Sequence, residues 1–584
     1  MVATDERRTA AKRSKRTKPR GGDTPDPSAE GTARPRSPHA TRRPKPPRVT
    51  AREASAAIER LADTCGTLDG RDRLRRLGRL VNKGSRNAQR MGFIETAIGE
   101  TLDEASRSSE GVRWAACEAA TWALAWMART KRAGGSAGGI LERLVGEART
   151  AQALLATGDT HAVRFLLVVA WLFRDVEACR CLEEGAAATV AAEIERLVSD
   201  DGVVKVSGSA AMVDRVLRWT AIRDVIGSRR GGIWPAAIET RWRMAATTAL
   251  RLLGARGRML AGAGRMPDCF TAPLLDAVAD LGGRRGRTAR ALRDGFTKAD
   301  AARLLPRDLH DAASGVAILR TGWDRRSVRV MLDYRHPVPR LEIAVGDRLV
   351  FDGPWQWEAW VDGRASDAEA AWSVSCWESD RKATFIEITT PLTNGLFIER
   401  HLVVLPQDRV VLLGDTITTH DDTPAGALRY RGVVPMAASL ESQGEEETRE
   451  VRGFDTAARF LALPLALQEW RSGGRGDLEA ADGGLVLSQE GGGRLHAPLW
   501  LDFDASRIGK PLTWRQLTVA DTRVILPPHQ AVGYRVQAGL EQWVVYRALD
   551  VARNRTLLGC NVACEFFLGR IRKSGEVART LEIQ

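Results

Sequence analysis

Side chains that commonly carry protons are scarce in this chain, whose 584 residues hold four tyrosines and eight histidines beside 17 tryptophans. The tyrosines, Tyr334, Tyr430, Tyr534 and Tyr546, all lie in the second half, and no asparagine occurs between Asn87 and Asn394. Most of the first half therefore offers neither residue type. Only one histidine, His161, falls between residues 40 and 309. It adjoins the apolar run AVRFLLVVAWLF and reads as a helix-start or core residue.

Cysteine is sparse as well. Eight of them, Cys65, Cys117, Cys179, Cys181, Cys269, Cys376, Cys560 and Cys564, are spread along the chain, which excludes a dense disulfide framework. Cys179-x-Cys181 and Cys560-xxx-Cys564 lack a His or second Cys pair at zinc spacing, so reduced, mostly buried thiols are expected and no metal or cofactor. No apolar stretch follows the basic start, so a secretory signal is not expected and a cytoplasmic location is. The longest apolar run, FLLVVAWLF, falls well short of the roughly 20 residues that cross a bilayer and reads as a buried helix. The glycine-rich AGGSAGGILERL lacks the Lys and Ser/Thr of a phosphate loop. No fixed-period repeat is visible.

What is abundant is positive charge, and it is uneven. Residues 1–50 carry fourteen Lys/Arg against five Asp/Glu and eight of the 24 prolines, with almost no large apolar residue. Such a segment cannot bury enough surface to offset its ordering entropy, so a disordered basic tail is expected over 1–50. It is either a solubilising tail or a contact for polyanions.

From 51 to 305 apolar residues recur at three- and four-residue steps, as in AAIERLADTCGTL and TRWRMAATTALRLLGARGRML, which predicts Ala-rich helices packed as an array or closed ring. At Ser314 the period changes to two, in GVAILRTGW, SVRVMLDYR, LEIAVGDRLVFDG and GLFIERHLVVL, and turn signals separate the runs. A large antiparallel β region, a multi-sheet sandwich, is expected over 306–584, with 440–493 rich in loops.

Two stretches carry a family likeness. The junction SGVAILRTGWDRRSVRVMLDYR holds Ser314, Gly315, Arg320, Trp323, Asp324 and Asp333, and residues 397–417 hold Arg400, Asp408 and Asp415. Following an all-helical half, this text resembles the heparinase II/III-like polysaccharide lyases. A third echo, DDGVVKVSGSAAMVDRVL, matches the family's helical half at Asp201, Gly202 and Ser207, but has Ala210 and Ala211 in place of Tyr and His. The resemblance implies an α/α toroid-like helical domain followed by an antiparallel β-sandwich.

It also implies β-elimination on a uronate in an acidic polysaccharide or oligosaccharide. That reaction needs a group to neutralise the carboxylate, a base for the C5 proton, and an acid for the leaving 4-oxygen. The His-x-His-Ala-Asp loop of active relatives is replaced here by YRHPVPRLEI, so the usual catalytic set is incomplete. The remaining candidates for proton transfer are Tyr334 and His336, two residues apart on one side of a strand, and His401. Arg400 is a candidate for binding substrate. Pro337 equally suits His336 to a hairpin turn, and strand alternation turns one of Arg400 and His401 inward whatever their function. Trp355 and Trp357 should face the same way and are candidates for stacking on sugar rings, or else core residues. Five arginines in GGRRGRTARALRDGF, near the junction, either hold anionic groups or form a solvated helix face. A sugar-binding pseudoenzyme, or a scaffold that binds polyanions through its tail, are the other functions these features allow.

Overall fold

The computed structural model describes residues 45–64, 68–83, 88–130, 136–227, 234–259, 271–295, 303–419, 425–472, 474–481 and 483–584. Residues from Lys45 to Gln584 form one compact unit. The tail expected over 1–50 lies, for residues 1–44, outside the described residues.

The first helix, Ala51–Thr64, opens on a reciprocal cap. Glu53 N–H donates to Thr50 Oγ1 at 3.2 Å, and Thr50 N–H donates to the Glu53 carboxylate at 2.8 Å. Helices then follow one another to Gly283–Asp294. At their centre lies Thr160–Leu172, started by Asp159, whose carboxylate accepts from the backbone of His161 and Ala162. Phe165 to Ala170 in this helix are fully buried. Fully burying one such Leu, Val or Phe side chain contributes roughly 1.5–3 kcal/mol, which outweighs the modest helix propensity of the two valines. His161 stands in the first turn, and burial and Arg218 lower its pKa to about 4. No described helix is long and apolar enough to cross a membrane.

Strands begin at Leu309. Leu309–Asp311, Val316–Arg320, Val328–Asp333, Arg340–Val345 and Arg348–Pro354 form a five-stranded antiparallel meander. Its two faces enter different cores. Val316, Ile318 and Met331 pack with the helices, whereas Ala317, Leu319, Val330 and Leu332 pack into the β region. Period-two alternation thus makes this sheet the wall between the halves. Charges from its helix-facing side close helix ends: Glu342 Oε1 accepts from Ser209 N–H at 3.0 Å, where helix Ser209–Gly227 begins, and Arg329 donates to the Leu252 carbonyl, where Ala236–Leu252 ends.

Next comes an eight-stranded antiparallel sheet, which includes the paired strands Thr384–Leu392, Leu396–Leu405, Val410–Thr419 and Leu495–Asp502. It is a middle layer. One face (Ile398, Leu402, Leu413) shares a core with the meander and with the sheet containing Gln356–Val361, Ala425–Pro435 and Gly484–Gly493. The other face (Phe385, Val403, Leu412) shares a core with the C-terminal sheet of Leu512–Leu517, Ala531–Ala538, Glu541–Ala548, Phe566–Ile571 and Val577–Ile583.

The stretch 440–493 is not loop-rich. It holds the strands Glu441–Gly444, Val451–Phe454, Ala458–Pro464, Gly476–Ala481 and Gly484–Gly493. Its glycines and glutamates have low strand preference, but Gly484–Gly493 pairs along both edges, and such pairing overrides weak local preference. The arginine-rich segment forms the helix Gly283–Asp294, on which Arg293 pairs with Asp276 and Asp294 at the surface.

Candidate active site

His310 lies on the three-residue edge strand Leu309–Asp311, opposite Ala317, which in turn lies opposite Leu332. Tyr334 is two residues beyond Leu332, so its side chain joins the same face. Its backbone N–H donates to the Gly315 carbonyl at 2.9 Å, just past the strand Val328–Asp333. Gly315 has φ +60, and a Cβ there would come within 3.3 Å of the Arg335 backbone nitrogen, which explains glycine in the Ser314-Gly315 junction. The outcome is a direct contact, with His310 Nε2 2.9 Å from the Tyr334 hydroxyl. Trp377, from the edge strand Ser373–Ser379 of the eight-stranded sheet, lies against the imidazole at 4.8 Å between ring centroids.

Burial pulls the His310 pKa below its ordinary value, while the carboxylates of Asp311 and Asp201 oppose that shift. Burial and Asp311 push the Tyr334 phenol up to about 12. Near neutral pH the pair is therefore a neutral imidazole touching a protonated phenol, a base beside an acid. Asp201 belongs to the helical half. Its turn is closed by a Val198–Val204 bridge and by Gly202, which has φ +84 and packs so closely on Met244 that a Cβ would sit 2.6 Å from that residue's carbonyl carbon. Asp311 Oδ1 accepts from Ser314 N–H at 2.9 Å, while Asp311 Oδ2 and Ser314 Oγ are buried without a hydrogen-bond partner among the described residues.

Tyr334 is thus joined to His310 and not to His336, which is exposed in the bend before Arg340–Val345. Arg400 and His401 are both buried, at 1 % and 0 % exposure, because their sheet is covered on each side. Arg400 makes a forked pair with Asp415 at 2.8 and 2.7 Å and donates to the Trp355 carbonyl at 2.6 Å. Its guanidinium lies 3.9 Å from the Trp355 ring centroid, and the Tyr430 hydroxyl donates to Asp415 at 2.5 Å. Trp355 is buried and Trp357 partly buried against the same core, so both face inward. His401 lies instead among Phe385, His496 and Phe566 in the next core. Ala210 and Ala211 open the helix Ser209–Gly227 with methyl groups alone. Among the described residues no group of three or more His, Cys, Asp or Glu side chains is placed to hold a metal ion.

His310 is the residue that the sequence pattern passes over. The strand carrying it is too short to show alternation, and its partner lies 24 residues away. The available signal was Leu-His-Asp three residues before the Ser-Gly turn, which sets a hairpin onto Val316–Arg320.

No family model matches the chain. No curated protein matches it either. Solved structures do. The fold is similar to that of a mutant of heparan sulfate lyase HepC from Pedobacter heparinus, with TM-score 0.55 and 10% identity over 88% of this chain and 91% of that one. It is similar to heparinase III, with TM-score 0.55 and 10% identity over 82% of each chain. A second HepC structure from Pedobacter heparinus gives TM-score 0.50 and 11% identity over 85% of this chain and 81% of that one. At these identities the likeness is one of fold: a helical part followed by a large antiparallel sheet region, as in polysaccharide lyases.

Proposed function

We propose that the chain is a polysaccharide lyase-like protein, a toroid-like helical domain before a β-sandwich, that engages uronate-containing polysaccharide at the His310–Tyr334 edge and acts on it by β-elimination. The observation carrying this reading is the 2.9 Å contact between an imidazole held neutral and a phenol held protonated. His310 takes the C5 proton and Tyr334 protonates the leaving 4-oxygen. Arg307, partly exposed three residues upstream and donating to the Asp380 carbonyl at 2.9 Å, supplies positive charge for the uronate carboxylate. His336 adds an exposed imidazole beyond Tyr334. Arg400, His401, Trp355 and Trp357 are assigned to the fold.

A second reading, binding without cleavage, is favoured by Ala210 and Ala211 at the start of the helix Ser209–Gly227. One experiment separates the two. Heparan, chondroitin, alginate and hyaluronan chains are incubated with the full chain and with residues 51–584, following absorbance of the unsaturated uronate and, in parallel, binding. Absorbance that rises, and that is lost in His310→Ala and lowered about 10²–10⁴-fold in Tyr334→Phe, supports the lyase. Binding without a rise supports the second reading, and binding lost with residues 1–50 and steeply salt-dependent assigns it to the basic tail.

A further inference from the structure

The second face of the eight-stranded sheet buries two imidazoles side by side. His401 and His496 have ring centroids 5.3 Å apart and exposures of 0 % and 2 %. His401 stacks on Phe385 at 6.1 Å and meets Phe566 of the C-terminal sheet at 5.3 Å. His496 meets Tyr534 of that same sheet, whose hydroxyl is 3.4 Å from Nδ1. A Cβ at Gly414 would collide with the His401 ring, so the sheet leaves out a side chain to house it. Among the described residues, His401 Nδ1 and Nε2, His496 Nε2 and the adjacent Thr416 hydroxyl make no hydrogen bond.

The charged groups around the pair are committed to one another. Arg547, from the C-terminal strand Glu541–Ala548, pairs with Glu387 at 2.9 Å and Glu399 at 2.5 Å, both from the eight-stranded sheet. Glu565 acts on Arg547 and Glu399, and Cys376 lies across the ladder from Glu387. Tyr534 is buried, and burial keeps its phenol protonated. None of these carboxylates bonds an imidazole, and the Arg547 cation repels charge on both rings. A proton on either ring would be a buried charge without a counter-ion, at the contact between two sheets.

We infer that the His401–His496 pair makes the joint between the eight-stranded sheet and the five-stranded C-terminal sheet sensitive to acid, so that proton uptake by the pair releases that sheet while the layers on the opposite face stay packed. The effect is one-sided because alternation turns both imidazoles toward the C-terminal sheet, and the opposite face holds Arg400, Leu402 and Leu413 in a separate core. A released imidazole binds a proton near its ordinary pKa of about 6.5, and a buried one does not. Each pH unit below that value therefore shifts the balance toward release by up to about tenfold per imidazole.

Hydrogen exchange of the full chain between pH 8 and 4.5, corrected for its intrinsic pH dependence, tests this. The reference is the strand pair Ala425–Pro435 and Gly484–Gly493 on the opposite face, because the helical half and the meander each have a depressed imidazole of their own, His161 and His310. From pH 7 to 5, protection in Ala531–Ala538, Glu541–Ala548 and Phe566–Ile571 should fall at least about tenfold more than in the reference strands. The double variant His401→Phe/His496→Leu should keep that protection to lower pH. Simultaneous loss in every layer, or an unchanged acid response in the double variant, overturns the inference. Should a variant fail to fold at neutral pH, the wild-type pattern alone decides between selective release and uniform loss.

Discussion

Arg320 points one guanidinium nitrogen, Nη1, at the Arg251 carbonyl, 2.6 Å away, and the same nitrogen lies 2.8 Å from the Leu253 carbonyl. These carbonyls end the helix Ala236–Leu252, so a residue of the second β-strand closes the last turn of a helix in the other half. The arginine of the junction text is therefore a fastener. It is fully buried, and burial together with nearby Arg329 lowers its pKa to about 9, so the helix-end carbonyls supply much of its compensation.

Arg320→Met should cost about 3–5 kcal/mol, because it strips a charged donor from buried helix-end carbonyls. Arg320→Lys should lose less, keeping the charge but not the fork. Urea unfolding measures both, and a loss under about 1 kcal/mol for the methionine variant would show that the joint does not depend on this cap.

Asp415→Asn should be as damaging, about 3–5 kcal/mol, because it leaves Arg400 as an unpaired cation between Trp355 and Trp372. Replacing both partners, Arg400→Met with Asp415→Leu, should recover part of the loss, the Tyr430 hydroxyl and the Trp355 carbonyl being left without their partners. A double-mutant cycle on unfolding free energies reads the coupling directly, and additive single losses would contradict a paired role.

How far the sequence led can be judged from single residues. The change of period at Ser314 anticipated strands beginning at Leu309, because a sheet with two different apolar faces leaves a plain period-two record. Tyr334 was legible through its strand, but His310 was not, because a three-residue edge strand is held by pairing that leaves no pattern of its own. Arg400 and His401 show the opposite difficulty. Alternation separates the two faces of a strand, but it does not tell that a third layer covers the second face, so Arg400 and His401 are both enclosed.

Gly202→Ala should disturb the candidate site from the helical side. A Cβ there would press on the Met244 backbone at φ +84, costing more than about 1 kcal/mol and moving the turn that carries Asp201. The titration of His310, followed by imidazole resonances, should move with it. An unchanged His310 titration in a destabilised Gly202→Ala chain would separate the turn from the site.

The pH dependence of turnover is the sharpest check on His310 and Tyr334. A base must be neutral to accept a proton, and burial holds the His310 pKa below its ordinary value. Activity should therefore rise with pH along an acid limb below about 6.5 and then level off. No alkaline fall is expected from Tyr334 until close to its own pKa of about 12, because the acid must keep its proton. The Asp201 carboxylate raises the His310 pKa, so Asp201→Asn should carry the acid limb to lower pH. Tyr334→Phe should lower the plateau by about 10²–10⁴-fold and leave the limb governed by the imidazole alone. If Asp201→Asn moved the limb to higher pH, or left it in place while His310→Ala retained activity, the proton would be leaving through a different group.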